Sequence, residues 1–324
     1  MKPEQKTEAR RKVVVVGAGA VGATYCYALA QSGLADEIAL IDRNEELAKG
    51  QVLDLVHGQP FFPMVDLHAG TEDDYADAHL VVITAGAAQK PGETRLQLLK
   101  KNADIVGGIA ETVAGKGCRG VMLIVSNPVD VLTWVALKRS GWDSGRVIGS
   151  GTVLDSARFR HILGKHCDVD VHNVHAYFLG EHGDSEFAAW SMTHIAGIPV
   201  GQYCDVCGKC PGWKHEREEI EKQVRESAYH IINSKGSTHF AVGLALVKIT
   251  ASILRKQKSV LTVSSYLNGE FGISDVCISV PSIVSDRGIE RIIDHKLSDT
   301  EIASLKNSAS VLRQAIDSLS MQEL

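Results

Sequence analysis

The sequence predicts an α/β fold: a doubly wound parallel sheet followed by a mixed α+β half. Three observations carry that prediction. Short apolar runs alternate with helical patterns over the first 150 residues or so, a glycine-rich turn joins the first run to the first helix, and the alternation then stops.

Residues 13–16 (VVVV) are a β-branched run ending at Gly17, the pattern of a parallel strand buried on both faces. Residues 20–32 follow as a helix, stopped by Gly33. A second strand at 37–41 (EIALI) leads into a helix over 44–56, capped by Asn44. Next come a strand at 79–84, a long helix at 95–114 and a strand at 121–125 closed by Ser126-Asn127-Pro128. A helix at 129–139 and a short strand at 146–148 complete the alternation. Beyond it lie a helix at 153–164, short strand-like runs and long helices near 214–233 and 238–256. A hairpin over 259–281 is expected to turn at Asn268-Gly269, before a final helix at 299–319.

A chain of 324 residues has room for about two domains, and the pattern divides it into 1–150 and 151–324. With 44% hydrophobic and 23% charged residues, disorder, collagen-like repeats and a coiled-coil rod are excluded as the main architecture. A formal charge of -5 argues against a general nucleic-acid binder, while leaving room for a local basic pocket. The leading MKPEQKTEARRK lacks the apolar core of a secretory signal, and no run is apolar enough to span a membrane. Seven cysteines, an odd count, point to reduced thiols and a cytoplasmic protein, with Cys26, Cys118, Cys167 and Cys277 filling core. Cys204, Cys207 and Cys210, with His215 beyond, offer the atoms of a Cys₃His zinc site. The spacing is not that of a common zinc module, so the run reads as a surface connector and no metal is expected.

Gly17-Ala18-Gly19-Ala20-Val21-Gly22 is a GxGxxG turn between a strand and a helix. Gly17 permits the tight turn, Gly19 lets backbone approach a pyrophosphate, and Gly22 allows close helix–strand packing, with Val21 beside them. Asp42 closes the second strand twenty positions after Gly22, placed for the adenosine ribose hydroxyls. An acid there favours NAD over NADP, whose 2′-phosphate it would repel. The expected half is therefore of the Rossmann type.

From Gly86 onward four motifs follow in order: Gln89 to Arg95 (QKPGETR), Ser126 to Asp130 (SNPVD), Gly151 to Arg158 (GTVLDSAR) and Gly180 to Asp184 (GEHGD). On these the chain resembles the L-lactate/malate dehydrogenase family, and within it the bacterial lactate branch. The resemblance implies NADH-dependent reduction of pyruvate to L-lactate, with His182 giving and taking the proton. It makes Asp155 the acid that orients the imidazole, and Arg158 the clamp on the substrate carboxylate. Arg95 would polarise the ketone from a lid over about 85–97, and Asn127 would meet substrate or nicotinamide near Gly86. A cis bond is implied at Asn127-Pro128. Gln89, uncharged where malate dehydrogenases carry Arg, suits pyruvate over oxaloacetate. Thr238 and Val242 would line the pocket, and His239 departs from the usual aromatic there. Arg160 and His175 match positions that bind fructose 1,6-bisphosphate between subunits; a solvated face is the alternative. A homotetramer is implied as well.

Overall fold

The computed structural model describes residues 10–88, 92, 94–207 and 213–319. Its centre is a nine-stranded sheet. In chain order the first strands and helices are β1 (Lys12–Val16), α1 (Ala20–Ser32), β2 (Glu37–Ile41), α2 (Glu45–His57), β3 (Asp66–Ala69) and β4 (Leu80–Ile83). There follow α3 (Arg95–Gly115), β5 (Val121–Ile124), α4 (Val129–Ser140), β6 (Val147–Gly149) and α5 (Val153–Cys167). Five two-residue strands come next: β7 (Val174–His175), β8 (Phe178–Leu179), β9 (Phe187–Ala188), β10 (His194–Ile195) and β11 (Ile198–Pro199). The chain ends with α6 (Val200–Cys207), α7 (Trp213–Lys235), α8 (Phe240–Leu254), β12 (Ser259–Asn268), β13 (Ser274–Ser285), β14 (Gly288–Ile292) and α9 (Asp299–Asp317).

Six strands lie parallel in the order β3-β2-β1-β4-β5-β6, so the winding reverses between β1 and β4. Ligands of open α/β sheets bind at such a reversal, beyond the carboxyl ends of the strands. The sequence explains why the sheet holds. Val13, Val14 and Val15, Leu80 to Ile83 and Met122 to Ile124 are fully buried, packed between helices on both faces. Helix starts follow their caps: Asn44 accepts from Leu47 N, and Thr94 and Gln97 form a capping box for α3. Gly33 ends α1 in the left-handed conformation, as its position predicts.

Three points correct or extend the sequence reading. β3 is absent from the sequence reading, because DLHA is short and polar at alternate positions. The hairpin pairs as expected but does not turn at Asn268-Gly269 alone. A short 3₁₀ turn, Glu270–Gly272, intervenes, and the second strand runs on to Ser285. Pairing across the halves, which the sequence reading did not address, is the third point: β12 joins β6 antiparallel through Ser264 and Gly149, extending the same sheet.

The glycine turn is packed tightly. Gly17 sits at φ +112 against Thr84, and a Cβ on Gly22 would lie 1.8 Å from the Gly17 carbonyl oxygen. Backbone cannot give way cheaply at that distance. Gly22→Ala is expected to lower unfolding stability by about 1–3 kcal/mol, measured by chemical denaturation. An unchanged midpoint would show that the turn has room the structure denies it.

Candidate active site

The first part of the site is the turn after β1. Helix α1 begins at Gly19 with no side-chain cap, so its first N–H groups remain available to an anion. A Cβ on Gly19 would meet nothing within 4 Å, which leaves space for a phosphate to approach the backbone. Asp42, at the end of β2, accepts from Ala18 N at 2.7 Å and from Asn44 N at 2.8 Å. That pins the acid beside the glycine turn, where the sequence placed it. Gly17, Gly22 and half-buried Val21 complete the wall, and the residues fit a dinucleotide.

The second part lies beyond β4, β5 and β6. Asn127 is exposed at the end of β5, and its bond to Pro128 is cis. Gly86 is exposed on the segment after β4, and Arg95 is exposed in the first turn of α3. Gln89 lies outside the described residues, so the residue expected to choose the substrate has no described position. One residue that sequence reasoning missed links these segments. Buried Asn102 of α3 accepts from Ala87 N at 2.8 Å and donates to Asn127 O at 3.2 Å. An amide among the apolar core positions of α3 (Leu99, Ala103, Val106) was the available signal.

The third part is the group of charged side chains on α5 and the loop after β8. Asp155, in the first turn of α5, is 1% exposed. Its Oδ2 lies 2.7 Å from His182 Nδ1, and its Oδ1 accepts from Arg158 Nη1 at 2.6 Å. The three-residue spacing of Asp155 and Arg158 on one helical face thus becomes a contact. The strand–helix connection that carries Asp155 is pinned: Thr152 N donates to Ser279 Oγ, and Thr152 Oγ1 donates to Phe178 O. The loop carrying His182 is held by buried Asp130, which accepts from His182 N at 2.8 Å and from Ser264 Oγ at 2.5 Å. Asp130 escaped the sequence reading although it stands in the SNPVD motif.

Electrostatics follow from this packing. Burial opposes charge on His182, but the Asp155 carboxylate, by charge and hydrogen bond, outweighs it with help from Glu186 and Asp130. The imidazole is lifted to about 9. Burial likewise works against the Asp155 carboxylate, and His182 and Arg158 overcome it, so Asp155 stays below its ordinary value. Burial lifts Asp130 to about 6. An ionised carboxylate only accepts, so Nδ1 carries the hydrogen towards Asp155, and Nε2 is left to hold or release a proton.

Other expected positions are placed less decisively. Thr238 is half-buried, next to His239, whose ring lies between Ser237 Oγ and Lys235 Nζ, each at 3.1 Å. Arg160 donates to Ala176 O at 3.0 Å, and His175, the residue before Ala176, is exposed. Burial lowers the Arg160 guanidinium from its ordinary value. Cys26, Cys118, Cys167 and Cys277 are buried, as expected, and so is Cys204. Cys207 is placed in α6 by its backbone alone, and Cys210 lies outside the described residues.

A dinucleotide turn at the sheet's reversal, with an oriented histidine and an arginine beyond it, defines the class: an NAD-binding α/β dehydrogenase. The comparisons make it specific. The lactate/malate dehydrogenase NAD binding domain matches residues 11–149, and the lactate/malate dehydrogenase alpha/beta C-terminal domain matches residues 152–322. The chain belongs to the lactate/malate dehydrogenase family. An L-lactate dehydrogenase of Treponema denticola is 60% identical over 310 residues, covering 95% of this chain and 98% of that protein. One from Thermoanaerobacter pseudethanolicus is 50% identical over 308 residues, covering 95% and 99%. The minor L-lactate dehydrogenase of Enterococcus mundtii in its ligands-bound form is 41% identical, with a TM-score of 0.93. That match covers 97% of this chain and all of the other.

The lifted imidazole makes a stability prediction. The folded protein holds the His182 proton more tightly than the unfolded chain, whose histidine keeps its ordinary 6.5. The resulting stabilisation is full below pH 6.5 and is lost as pH rises through about 9. Over that window the thermal midpoint is expected to fall, and to fall less in His182→Asn. Parallel curves for the two proteins would refute the assignment.

Proposed function

We propose that this NAD-dependent dehydrogenase interconverts pyruvate and L-lactate, with His182 as the proton carrier. The observation that carries this reading is the Asp155 carboxylate holding His182 and Arg158 together beyond the carboxyl ends of the strands. NADH supplies the hydride when bound, and NAD accepts it in reverse. Gly17, Gly19, Val21, Gly22 and Asp42 hold the dinucleotide, and Gly86 and Asn127 border its nicotinamide end. Arg158 keeps one nitrogen on Asp155 and turns the rest of its donor fork to the substrate carboxylate. His182 Nε2 delivers a proton to the ketone oxygen as negative charge develops there. Arg95, at the start of α3, polarises the same oxygen when the lid over about 85–97 covers the site and excludes water. Thr238 lines the pocket, and Gln89 favours the methyl end of pyruvate over a second carboxylate.

The division of labour falls near residue 150, with the cofactor half in 1–150 and most substrate chemistry in 151–324. A homotetramer in the cytoplasm is the assembly and place we assign. Exposed Phe61, Met64, Phe240 and Leu244 offer apolar surface for subunit contacts, and the buried thiols of Cys26, Cys118 and Cys277 suit a reducing compartment. Among the described residues no helix is long and apolar enough to cross a membrane. The alternative activity, malate dehydrogenase, is disfavoured by Gln89 and by relatives that bear the lactate dehydrogenase name.

The direct test is NADH oxidation with pyruvate and then with oxaloacetate. Pyruvate is expected to be the better substrate by kcat/KM, and a preference for oxaloacetate would overturn the substrate assignment. His182→Ala should lower kcat by roughly 10²–10⁴-fold while NADH binding persists. Equal loss of cofactor affinity would remove the histidine from its role. Arg160 and His175 form the proposed fructose 1,6-bisphosphate site, on the family positions they match. The bisphosphate should shift pyruvate saturation to lower concentration in dilute enzyme; superimposable curves would sink that site.

A further inference from the structure

The His182–Asp155 pair has a third acidic neighbour to which the reaction above gives no task. Glu186 is 5% exposed, and its Oε2, fully removed from solvent, has no hydrogen-bond partner. That oxygen lies 4.0 Å from His182 Nδ1, and the polar atoms of Asp155, His182 and Glu186 all fall within 4.8 Å of one another. A buried carboxylate without a partner is costly, so a glutamate is held there only if its charge has a nearby answer. The charged groups facing it are Asp155 and Arg158 from α5, His182 from its own loop and Arg225 from α7. Asp155 repels it, Arg158 is already engaged with Asp155, and Arg225 reaches the Glu186 carbonyl at 3.5 Å and the Glu221 side chain at 3.3 Å. Among the described residues, the facing charge set by a group that titrates near neutrality is the imidazolium.

We propose that Glu186 is a positioning residue for His182, a buried carboxyl whose negative charge, when ionised, helps hold the imidazole proton in place. This rests on the reading of His182 as the proton carrier. When His182 is neutral, an ionised Glu186 stands beside the Asp155 carboxylate with its charge unanswered, so loss of the imidazole proton is disfavoured while Glu186 is charged. When His182 is protonated, its positive charge stabilises Glu186 as a carboxylate. The two groups therefore titrate as a coupled pair rather than one at a time. Burial, followed by repulsion from Asp155, pushes the Glu186 carboxyl well above its ordinary value, which agrees with this arrangement. On the other side Asp130, which meets the His182 backbone and is itself faced by Glu181, completes the set of charges about the imidazole.

The test is a direct titration of the His182 ring by NMR in the full chain, its resonance assigned by its loss in His182→Asn. Glu186→Gln keeps the shape and removes the charge, and should lower the midpoint by about one pH unit, a tenfold weaker hold on the proton. Glu186→Asp keeps a carboxyl but withdraws it by one methylene, and should fall between. The alkaline limb of kcat/KM for pyruvate should move down with the midpoint in Glu186→Gln. An unmoved midpoint, or a loss of kcat at every pH with the limb in place, would reduce Glu186 to a packing residue and overturn the proposal. Should Glu186→Gln fail to fold, the aspartate variant decides, and a wild-type midpoint there defeats the idea. If wild type does not reduce pyruvate, the proposed function fails, while the ring titration still decides whether Glu186 acts on His182.

Discussion

The site depends on one buried carboxylate. Asp155 spends each of its oxygens on a different cation, Oδ2 on the His182 imidazole and Oδ1 on the Arg158 guanidinium. Those two bonds set the distance between the imidazole, the proposed proton carrier, and the guanidinium, the proposed carboxylate clamp. Neither partner reaches the other directly. Removing Asp155 would free both and leave two cations without their answer, which is far worse than losing a surface ion pair. The carboxylate is held in turn by its place in the first turn of α5, where the helix dipole favours an acid.

What holds α5 is the second half of the chain. Gly151 and Thr152 pack into the β12–β13 hairpin so closely that a Cβ on Gly151 would lie 2.5 Å from Ser264 N. Ser264 also donates to Asp130, and Asp130 receives the His182 backbone. A continuous path of short polar contacts therefore runs from the hairpin through α4 to the loop of His182. Because β12 joins β6, these contacts are built on the same sheet that presents the glycine turn. Cofactor turn and charged cluster share one rigid frame, which is how side chains from opposite halves of the chain keep their spacing.

How much of this was legible depended on whether the cause was local. The valine run, the Asn44 cap and the Gly33 stop are each decided by a few adjacent residues, and each stands where the sequence put it. Asp42 was legible because the motif fixes its distance from the glycines. The Asp155–Arg158 contact was legible because three residues along a helix is a contact distance. Asn102 and Glu186 were not, since what sets them apart is burial beside residues distant in sequence. β3 and the union of β12 with β6 escaped for the same reason: a four-residue strand and a single registered pair leave no periodic trace.

The pocket's charge is the last consequence. Sequence reading gave a cationic site built around Arg95 and Arg158 within a chain of net charge -5. In the structure Arg158 is already balanced by Asp155, and Arg95 stands exposed at the start of α3. Taken by themselves, Asp155, Arg158 and His182 are therefore close to neutral while His182 is neutral and positive when the imidazole takes a proton, a charge that an ionised Glu186 offsets. An anionic oxo acid is then favoured in the protonation state that can reduce it. Binding and proton delivery draw on the same charge, because a carboxylate that neutralised Arg158 left the imidazolium as the inner cation of the pocket.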